Sequence, residues 1–356
     1  MKYKVIFIVL SVIYACNLNA QDSTRYYQEA YNEINGMLIG NKPLNFKEAV
    51  LATENAYFDG QLNKNKVNEE IELLTGLVKL TNSPELISYD APDKETVTKH
   101  AAIFKVLTDT TSIVLDSAHV YFHKPYTYDF EDMWGQQNWS KMFVSKLLLA
   151  GKGNCHSMPY LYKILSEELS IPAYLSFAPN HIYIKLRCKK TGWYNTELTS
   201  ATFPIDAWIM ASGYVHLDAI RNGLYMDTLS LKQSVAYCML DLAQGYQHKF
   251  GKANPDFVLK CCETCLKYNP VNVNTLLTKA EAQKVFLDTK AKEQKVKSPK
   301  DLFNDPTIKS MYEDMEQTYA HLYQLGYRRM PEEMYAKWLG LLKTESGKYT
   351  NKNVNH

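Results

Sequence analysis

The sequence has no large excess of charge of either sign, and it has no long apolar run after its first 20 residues. Its 356 residues include 40 Lys and Arg against 38 Asp and Glu. This balance argues against an electrostatically driven partner, so we expect no nucleic-acid binding. The later apolar stretches are too short to cross a bilayer as a helix, so we also expect no membrane span.

A recognisable set of metal ligands is missing as well. Three cysteines, Cys261, Cys262 and Cys265, lie in a helical pattern in which the first and third share a face and the second does not. Metal sites use convergent ligands at recognised spacings, and no second Cys or His pair accompanies this cluster. We therefore predict small buried core residues here, no metal site and no cofactor. A disulfide from Cys238 to this helix is the alternative.

The first 20 residues have the pattern of a secretory signal. Two lysines precede an apolar run over residues 5–15, and the small residue Ala20 follows. This order is typical of an export signal, and the run is too short for a membrane anchor. We expect cleavage after Ala20 and a periplasmic or secreted protein. Lipidation at Cys16 and an N-terminal core helix are the alternatives.

Three consecutive regions follow the signal of residues 1–20. Residues 21–110 repeat apolar side chains at three- and four-residue steps, which predicts a helical region. Residues 111–210 contain alternating strands and the residues suited to chemistry. Residues 211–356 predict one helix after another, with short turns that resemble degenerate tetratricopeptide repeats. Because the consensus tryptophan of that repeat is missing, an unrelated all-helical domain is the alternative.

A cysteine lies where a glycine turn leads into a helix. The turn at residues 151–153 precedes Cys155, and an amphipathic helical pattern covers residues 158–169. Pro159 cannot donate a hydrogen bond to the Cys155 carbonyl, so either the regular helix begins at residues 156–158 or its first bond is missing. In both cases Cys155 lies at the positive end of the helix dipole, which favours the nucleophilic thiolate.

A histidine begins the second of the alternating strands. His181 is followed by apolar residues at every second position, and these form the predicted buried face. His181 and Tyr183 should then share the opposite, wetter face, where a catalytic base would line a cleft. The apolar residues of the buried face are Ile182, Ile184 and Leu186.

A carboxylate on the next strand could orient this histidine. A five-residue loop that pairs Arg187 with Trp193 would put Glu197 opposite Tyr183 and diagonal to the histidine. An even-numbered loop would place Glu197 on the other face of the sheet. Asp206 is the alternative third member of the site.

The region of residues 110–210 resembles the core of the transglutaminase-like superfamily. The resemblance rests on four stretches, namely Gly153-Asn154-Cys155, Ile171-Pro172-Ala173, His181, and Trp193-x-x-x-Glu197-x-Thr199. It implies a papain-like α+β fold, in which a helix packs on an antiparallel sheet, with helical regions on either side. It also implies a Cys-His-Asp triad, and this chain has Glu197 where the family usually has Asp.

By this resemblance the chain is an exported thiol-dependent hydrolase of amide or isopeptide bonds, or a transamidase, acting on a peptide or protein. Cys155 would be the nucleophile, His181 the base and acid, and Glu197 the orienting carboxylate. We favour hydrolysis because water is always present and no site for an acceptor amine is visible. The alternative is a catalytically inactive scaffold that binds a protein partner through its core and its helical repeats.

The substrate-binding residues are also expected within this region. An oxyanion donor would come from the Cys155 backbone N–H and from one side chain just upstream. Trp134 and Gln136 are the leading candidates, beside Gln137, Asn138 and Trp139. Trp193, at the start of the third strand, is expected to contribute to binding.

Overall fold

The computed structural model describes residues 23–114, 120–252, 254–294 and 303–354. Helix predominates, at 58% of residues, and the strands form small sheets, so the predicted mixture of helix and sheet is confirmed. None of the helices in these ranges is both long enough and apolar enough to cross a membrane. The predicted export signal and Cys16 lie outside the described residues.

The helices follow one another along most of the chain. In chain order they are α1 (23–38), α2 (Phe46–Tyr57), α3 (Lys64–Thr81), α4 (Lys94–Thr108), α5 (Val144–Ala150), α6 (Ser157–Glu168), α7 (Asp206–Met210), α8 (Leu217–Arg221), α9 (Leu231–Phe250), α10 (Asp256–Tyr268), α11 (Val273–Glu293), α12 (Pro306–Gln324), α13 (Glu332–Thr344) and α14 (Ser346–Tyr349). Asparagine side chains cap the starts of several of them, including α2 and α3. The side chains of Asn45 and Asn63 each accept a backbone N–H three residues later at 3.0 Å, which satisfies one free donor of α2 and of α3.

In the described part of the chain, seven strands form three small sheets. They are β1 (Thr111–Val114), β2 (Val120–His123), β3 (Thr127–Tyr128), β4 (Lys152–Gly153), β5 (Tyr174–Ala178), β6 (His181–Cys188) and β7 (Gly192–Thr196). Strands β1 and β2 pair antiparallel, β3 and β4 pair parallel, and β5, β6 and β7 form an antiparallel sheet in that order. In this last sheet Arg187 pairs with Trp193, so the predicted hairpin register is confirmed.

The described residues group into two compact units. One unit contains segments up to residue 62, from 235 to 270 and from 277 to 312, and the other contains residues 63–234, 271–276 and those from 313 onward. Both units draw on more than one of the regions predicted from the sequence.

The first unit has an aromatic core in which helices α1, α9 and α10 meet. Tyr27 lies edge-on to Tyr246, with ring centroids 5.3 Å apart, and Phe257 contacts both rings. The predicted burial of the three clustered cysteines of α10 is confirmed. None of the six cysteines in the described residues forms a disulfide, so the alternative disulfide from Cys238 does not form.

The second unit contains the three-stranded sheet and the helices that support it. Helix α6 packs against β5 and β6, and its other neighbours are α3, α4 and α5. The hydroxyl of Tyr162, on α6, donates to the backbone carbonyl of His100 on α4 at 3.2 Å. Because α6 is buried along nearly its whole length, its first turn and the residues just before it are held firmly beside the sheet.

Candidate active site

Asn154 sets the position of Cys155 just before α6. Its side-chain oxygen accepts the backbone N–H groups of His156 at 3.0 Å and of Ser157 at 3.1 Å. These bonds cap the helix start, and the regular helix begins at Ser157. Cys155 therefore lies just ahead of the first turn, as predicted from Pro159, and at the positive end of the helix.

The Cys155 thiol is enclosed, and its backbone N–H stays available. The residue is 6% exposed, and its sulfur lies 3.8 Å from the carbonyl oxygen of Asn180. Within the described ranges, the Cys155 backbone N–H donates no hydrogen bond. A free N–H beside the sulfur is the kind of donor that stabilises the oxyanion formed when that sulfur attacks a carbonyl carbon.

Glu197 binds the imidazole of His181 from the adjoining strand. Its Oε2 lies 2.5 Å from His181 Nε2. Its other oxygen, Oε1, accepts the backbone N–H of Thr199 at 2.8 Å and the Thr199 hydroxyl at 2.6 Å. Glu197 and Thr202 also exchange two backbone hydrogen bonds, which hold the carboxylate one residue beyond the end of β7. The carboxylate is therefore oriented by the fold before any ligand binds.

The surroundings of Cys155 and His181 favour the charged form of each side chain. Burial raises the pKa of the Cys155 thiol, but its hydrogen-bonding and coulombic interactions with His181 outweigh burial and bring that pKa below its ordinary value. Burial also opposes a charge on His181, but the Glu197 carboxylate, together with Cys155, raises the pKa of the imidazole to about 10. At neutral pH this favours an imidazolium beside a thiolate, which is the reactive ion pair of thiol enzymes.

The face of β6 that carries His181 is buried, and the prediction of a wetter face there is wrong. His181 is 2% exposed, Tyr183 and Lys185 are also buried, and Arg187 alone is exposed on this face of the strand. The cause is aromatic packing from distant parts of the chain. The rings of Trp208, Tyr335 and Trp338 lie 5.5 to 6.0 Å from the imidazole.

Tyr335 makes the most direct contact with the site among these aromatic residues. Its hydroxyl lies 2.9 Å from His181 Nδ1 and 3.1 Å from the hydroxyl of Tyr128. Its interaction with Cys155 also contributes to the lowered pKa of the thiol, after the larger effects of burial and of His181. The site therefore contains two tyrosine hydroxyls in addition to the three predicted residues.

Of the other predicted site residues, Trp134 lies beside the site, whereas Gln136 and Trp193 lie away from it. The ring of Trp134 packs on Tyr335 with centroids 4.8 Å apart, and the Gln136 amide lies 3.4 Å from the carboxylate of Glu332. Both residues therefore contact helix α13. Trp193 is exposed at the far end of β7. Its ring centroid lies 5.4 Å from that of Tyr174.

The alternative carboxylate, Asp206, does not contact the imidazole. It accepts a hydrogen bond from the side-chain amide of Asn195 at 2.8 Å, at the start of α7. In the described residues it is Glu197 that reaches His181. No group of three or more His, Cys, Asp or Glu side chains in that part of the chain could hold a metal ion.

Four aromatic residues of the site were not anticipated from the sequence, and these are Tyr128, Trp208, Tyr335 and Trp338. The three-residue spacing of the last two is a helical-face signal. In a chain with 26 tyrosines, however, such a pair could not be assigned to this site.

No family model, curated protein or solved structure matches this chain. The functional argument therefore depends on the geometry and chemistry of the site itself.

Proposed function

We propose that this protein is an exported thiol-dependent hydrolase of amide or isopeptide bonds in a peptide or protein substrate. Cys155 is the nucleophile, His181 the base and acid, and Glu197 the residue that orients the imidazole. The observation that carries the proposal is the 2.5 Å contact of Glu197 with His181, in a site where His181 in turn lowers the pKa of the Cys155 thiol.

The proposed reaction follows from these roles. The thiolate attacks the carbonyl carbon, and the carbonyl oxygen becomes an oxyanion. This oxyanion accepts a hydrogen bond from the free Cys155 backbone N–H. The imidazolium then gives its proton to the departing amine, which leaves a thioester on Cys155. Water, losing a proton to the neutral imidazole, attacks the thioester and releases the carboxylic acid and the thiol.

The fold relationship is part of the same proposal. A transglutaminase-like, papain-like core is supported by a cysteine that precedes a buried helix, a histidine that begins a strand beside it, and a carboxylate that follows the next strand. The Thr199 bonds to Glu197 give a physical reason for the Glu-x-Thr pattern of the motif. Glutamate in place of aspartate still accepts the imidazole N–H.

Burial of the site favours a second candidate function. Cys155, His181 and Glu197 are 6%, 2% and 1% exposed, so a substrate carbonyl does not reach the sulfur in this conformation. A non-catalytic scaffold that binds a protein partner would keep such a site closed permanently. The two candidates differ in whether the thiol behaves as a low-pKa nucleophile whenever it becomes accessible.

The pH profile of alkylation distinguishes the two functions. Iodoacetamide labelling is followed by mass spectrometry at each cysteine between about pH 6 and pH 9, a range that spans the ordinary thiol pKa. A Cys155 with a lowered pKa gives an alkylation rate that is nearly independent of pH. For a thiol that is still protonated, the rate rises about tenfold with each unit of pH until the pH reaches its pKa. The free, buried Cys188 is the internal control. His181→Ala should restore the steep profile at Cys155.

Hydrolysis is assayed in parallel with fluorogenic peptide and isopeptide amides, on protein in which the buried site has been opened. Activity should be lost in Cys155→Ala and retained in Cys188→Ala. A steep alkylation profile at Cys155 in the wild type, with no hydrolysis, would support the scaffold and reject the enzyme. Added primary amine distinguishes transfer from hydrolysis through the mass of the acyl product.

A further inference from the structure

The side chains that enclose Cys155 come largely from the end of the chain. Tyr335 and Trp338, on one face of α13, belong to the same buried cluster as Cys155. The ring of Trp338 stacks on that of Trp208, with centroids 4.2 Å and planes 11° apart. Each indole N–H also donates to the other residue's backbone carbonyl, at 2.8 Å from Trp338 and 3.4 Å from Trp208. We call residues 330–354 the C-terminal cover.

Hydrogen bonds fasten both ends of the C-terminal cover. At its start, the Asn180 side chain donates to the Met330 carbonyl at 3.0 Å, immediately beside His181. Near its end, the backbone N–H of Ile205 donates to Tyr349 at 2.8 Å, and that of Asn351 donates to Phe203 at 2.7 Å. The cover is therefore attached on both sides of the site.

The closed cover is incompatible with the proposed reaction. Attack requires a carbonyl carbon at about 3–3.5 Å from the sulfur, with the imidazole free to exchange a proton. The Tyr335 hydroxyl occupies His181 Nδ1 instead, and the cover buries the sulfur. Catalysis therefore requires the cover to leave.

A suitable cleavage site lies directly before the cover. Arg328 and Arg329 are exposed, and they lie in the irregular stretch between the end of α12 at Gln324 and the buried Met330. Exposed, irregular chain is where proteases cut most readily, because it can extend into the protease cleft. Two consecutive arginines match an endoprotease that cuts after basic residues.

We propose that Arg328-Arg329 is a processing site and that cleavage there releases the C-terminal cover from the thiol. This inference rests on the proposed function, since an inactive scaffold would need no opening. Water adds across the Arg329–Met330 peptide bond and leaves a carboxylate on Arg329 and an ammonium on Met330. Met330 is buried, so its new ammonium group is poorly hydrated as long as the cover stays in place. The cost of this buried charge favours release of the cover. Cleavage also removes the tether that keeps the cover at high local concentration.

Limited trypsin digestion of the full chain tests the processing site. The first cut should fall after Arg328 or Arg329, as read by intact mass, and the C-terminal fragment should separate on gel filtration. The Arg328→Gln, Arg329→Gln double variant should resist this cut. Alkylation of Cys155 should rise about 100-fold in the separated product, which corresponds to losing a few kcal/mol of burial.

Two variants of α13 test the cover without a protease. Trp338→Ala should raise the alkylation rate of Cys155 in the uncut chain about 100-fold, because it deletes the stacked indole. Lys337→Ala changes the neighbouring, exposed residue of the same helix and should leave the rate unchanged.

The outcomes separate the cover from the proposed function. Faster alkylation with new amide hydrolysis supports both, and faster alkylation without hydrolysis supports the cover while rejecting the enzyme. Release of the fragment with unchanged alkylation of Cys155 would overturn the cover. A first cut elsewhere in the chain would overturn the processing site.

Discussion

The hydroxyl of Tyr335 lies 2.9 Å from Nδ1 of His181, on the side of the ring opposite the nitrogen bound by Glu197. Both ring nitrogens are therefore occupied, one by a carboxylate and the other by a phenol. A protonated ring can donate to both partners at once, which agrees with its raised pKa, to about 10, where the Glu197 charge overcomes the opposing effect of burial. The same hydroxyl contacts that of Tyr128, so Tyr335 of the C-terminal cover connects His181 with Tyr128 of β3.

Tyr335→Phe should weaken this connection without emptying the space that the ring fills. The change leaves His181 Nδ1 and the Tyr128 hydroxyl short of a partner, which should lower the free energy of unfolding by about 1–3 kcal/mol. Alkylation of Cys155 should become faster, because the cover loses a polar contact. Urea unfolding and the labelling rate measure the two effects.

Tyr323→Phe is the matched control for that variant. Tyr323 is 85% exposed, so its hydroxyl bonds to water in both states and its removal should change stability by less than about 0.5 kcal/mol. Equal stabilities for the two variants would show that the Tyr335 hydroxyl does not hold the cover.

Thr199→Val should impair the orientation of Glu197. The hydroxyl donates to the carboxylate at 2.6 Å, and a hydrogen bond to a charged group contributes about 1.5–3 kcal/mol. We expect lower stability by that amount and, in protein freed of its C-terminal cover, a roughly tenfold lower kcat/KM, because the carboxylate that orients the imidazole is held less firmly. Thr289→Val, where the hydroxyl bonds only to its own helix at Val285, should leave kcat/KM unchanged. An unchanged kcat/KM in Thr199→Val would argue against an orienting role for this bond.

The residues that meet at the candidate site could be predicted because their signals are local. A glycine turn before an amphipathic helix marked Cys155, and strand alternation marked His181. The requirement that Glu197 share a face with His181 predicted an odd-numbered loop with Arg187 paired to Trp193, and the structure has this register. Period-two alternation and loop length are short-range properties, so sequence alone determines them.

Burial of the site could not be predicted in the same way. The alternation of β6 distinguishes its two faces, but it does not say what packs on the second face. Tyr335 lies 154 residues beyond His181 in the chain, and no periodicity connects the two. The face expected to be wet is therefore buried by long-range packing, in which Trp208 of α7 joins Tyr335 and Trp338 of α13.

The raised pKa of His181 predicts how stability depends on pH. An unfolded histidine titrates near about 6.5, so a folded value of about 10 means that the native state binds the proton more tightly. Its contribution to stability is fully present below about pH 6.5 and is lost as the pH rises through about 10. Burial lowers this pKa and the Glu197 carboxylate raises it, so Glu197→Gln should remove most of the effect.

The experiment compares Glu197→Gln with its parent by urea unfolding between about pH 6 and pH 10. This range spans the pKa of His181 in the unfolded and in the folded state. Both proteins carry Cys155→Ala, because a thiol with a lowered pKa stabilises the fold in the opposite direction, as the pH rises. The gap in unfolding free energy should be widest near the acidic end and should narrow toward the alkaline end. A gap that widens with pH would contradict a stabilising imidazolium.

Gly153→Ala should disturb the turn that precedes Cys155, the proposed nucleophile. A Cβ at this position would lie 2.7 Å from both Leu147 Cδ1 and Ser157 Oγ, which is closer than real contacts allow. We expect a loss of about 1–3 kcal/mol of stability from overpacking, together with a slower reaction of Cys155, because Ser157 begins α6. Gly76→Ala is the control, since its Cβ meets nothing within 4 Å on α3, and it should raise stability by about 0.5–1 kcal/mol. If Gly153→Ala matched that control in stability and alkylation rate, the close packing of this turn would not be what positions Cys155.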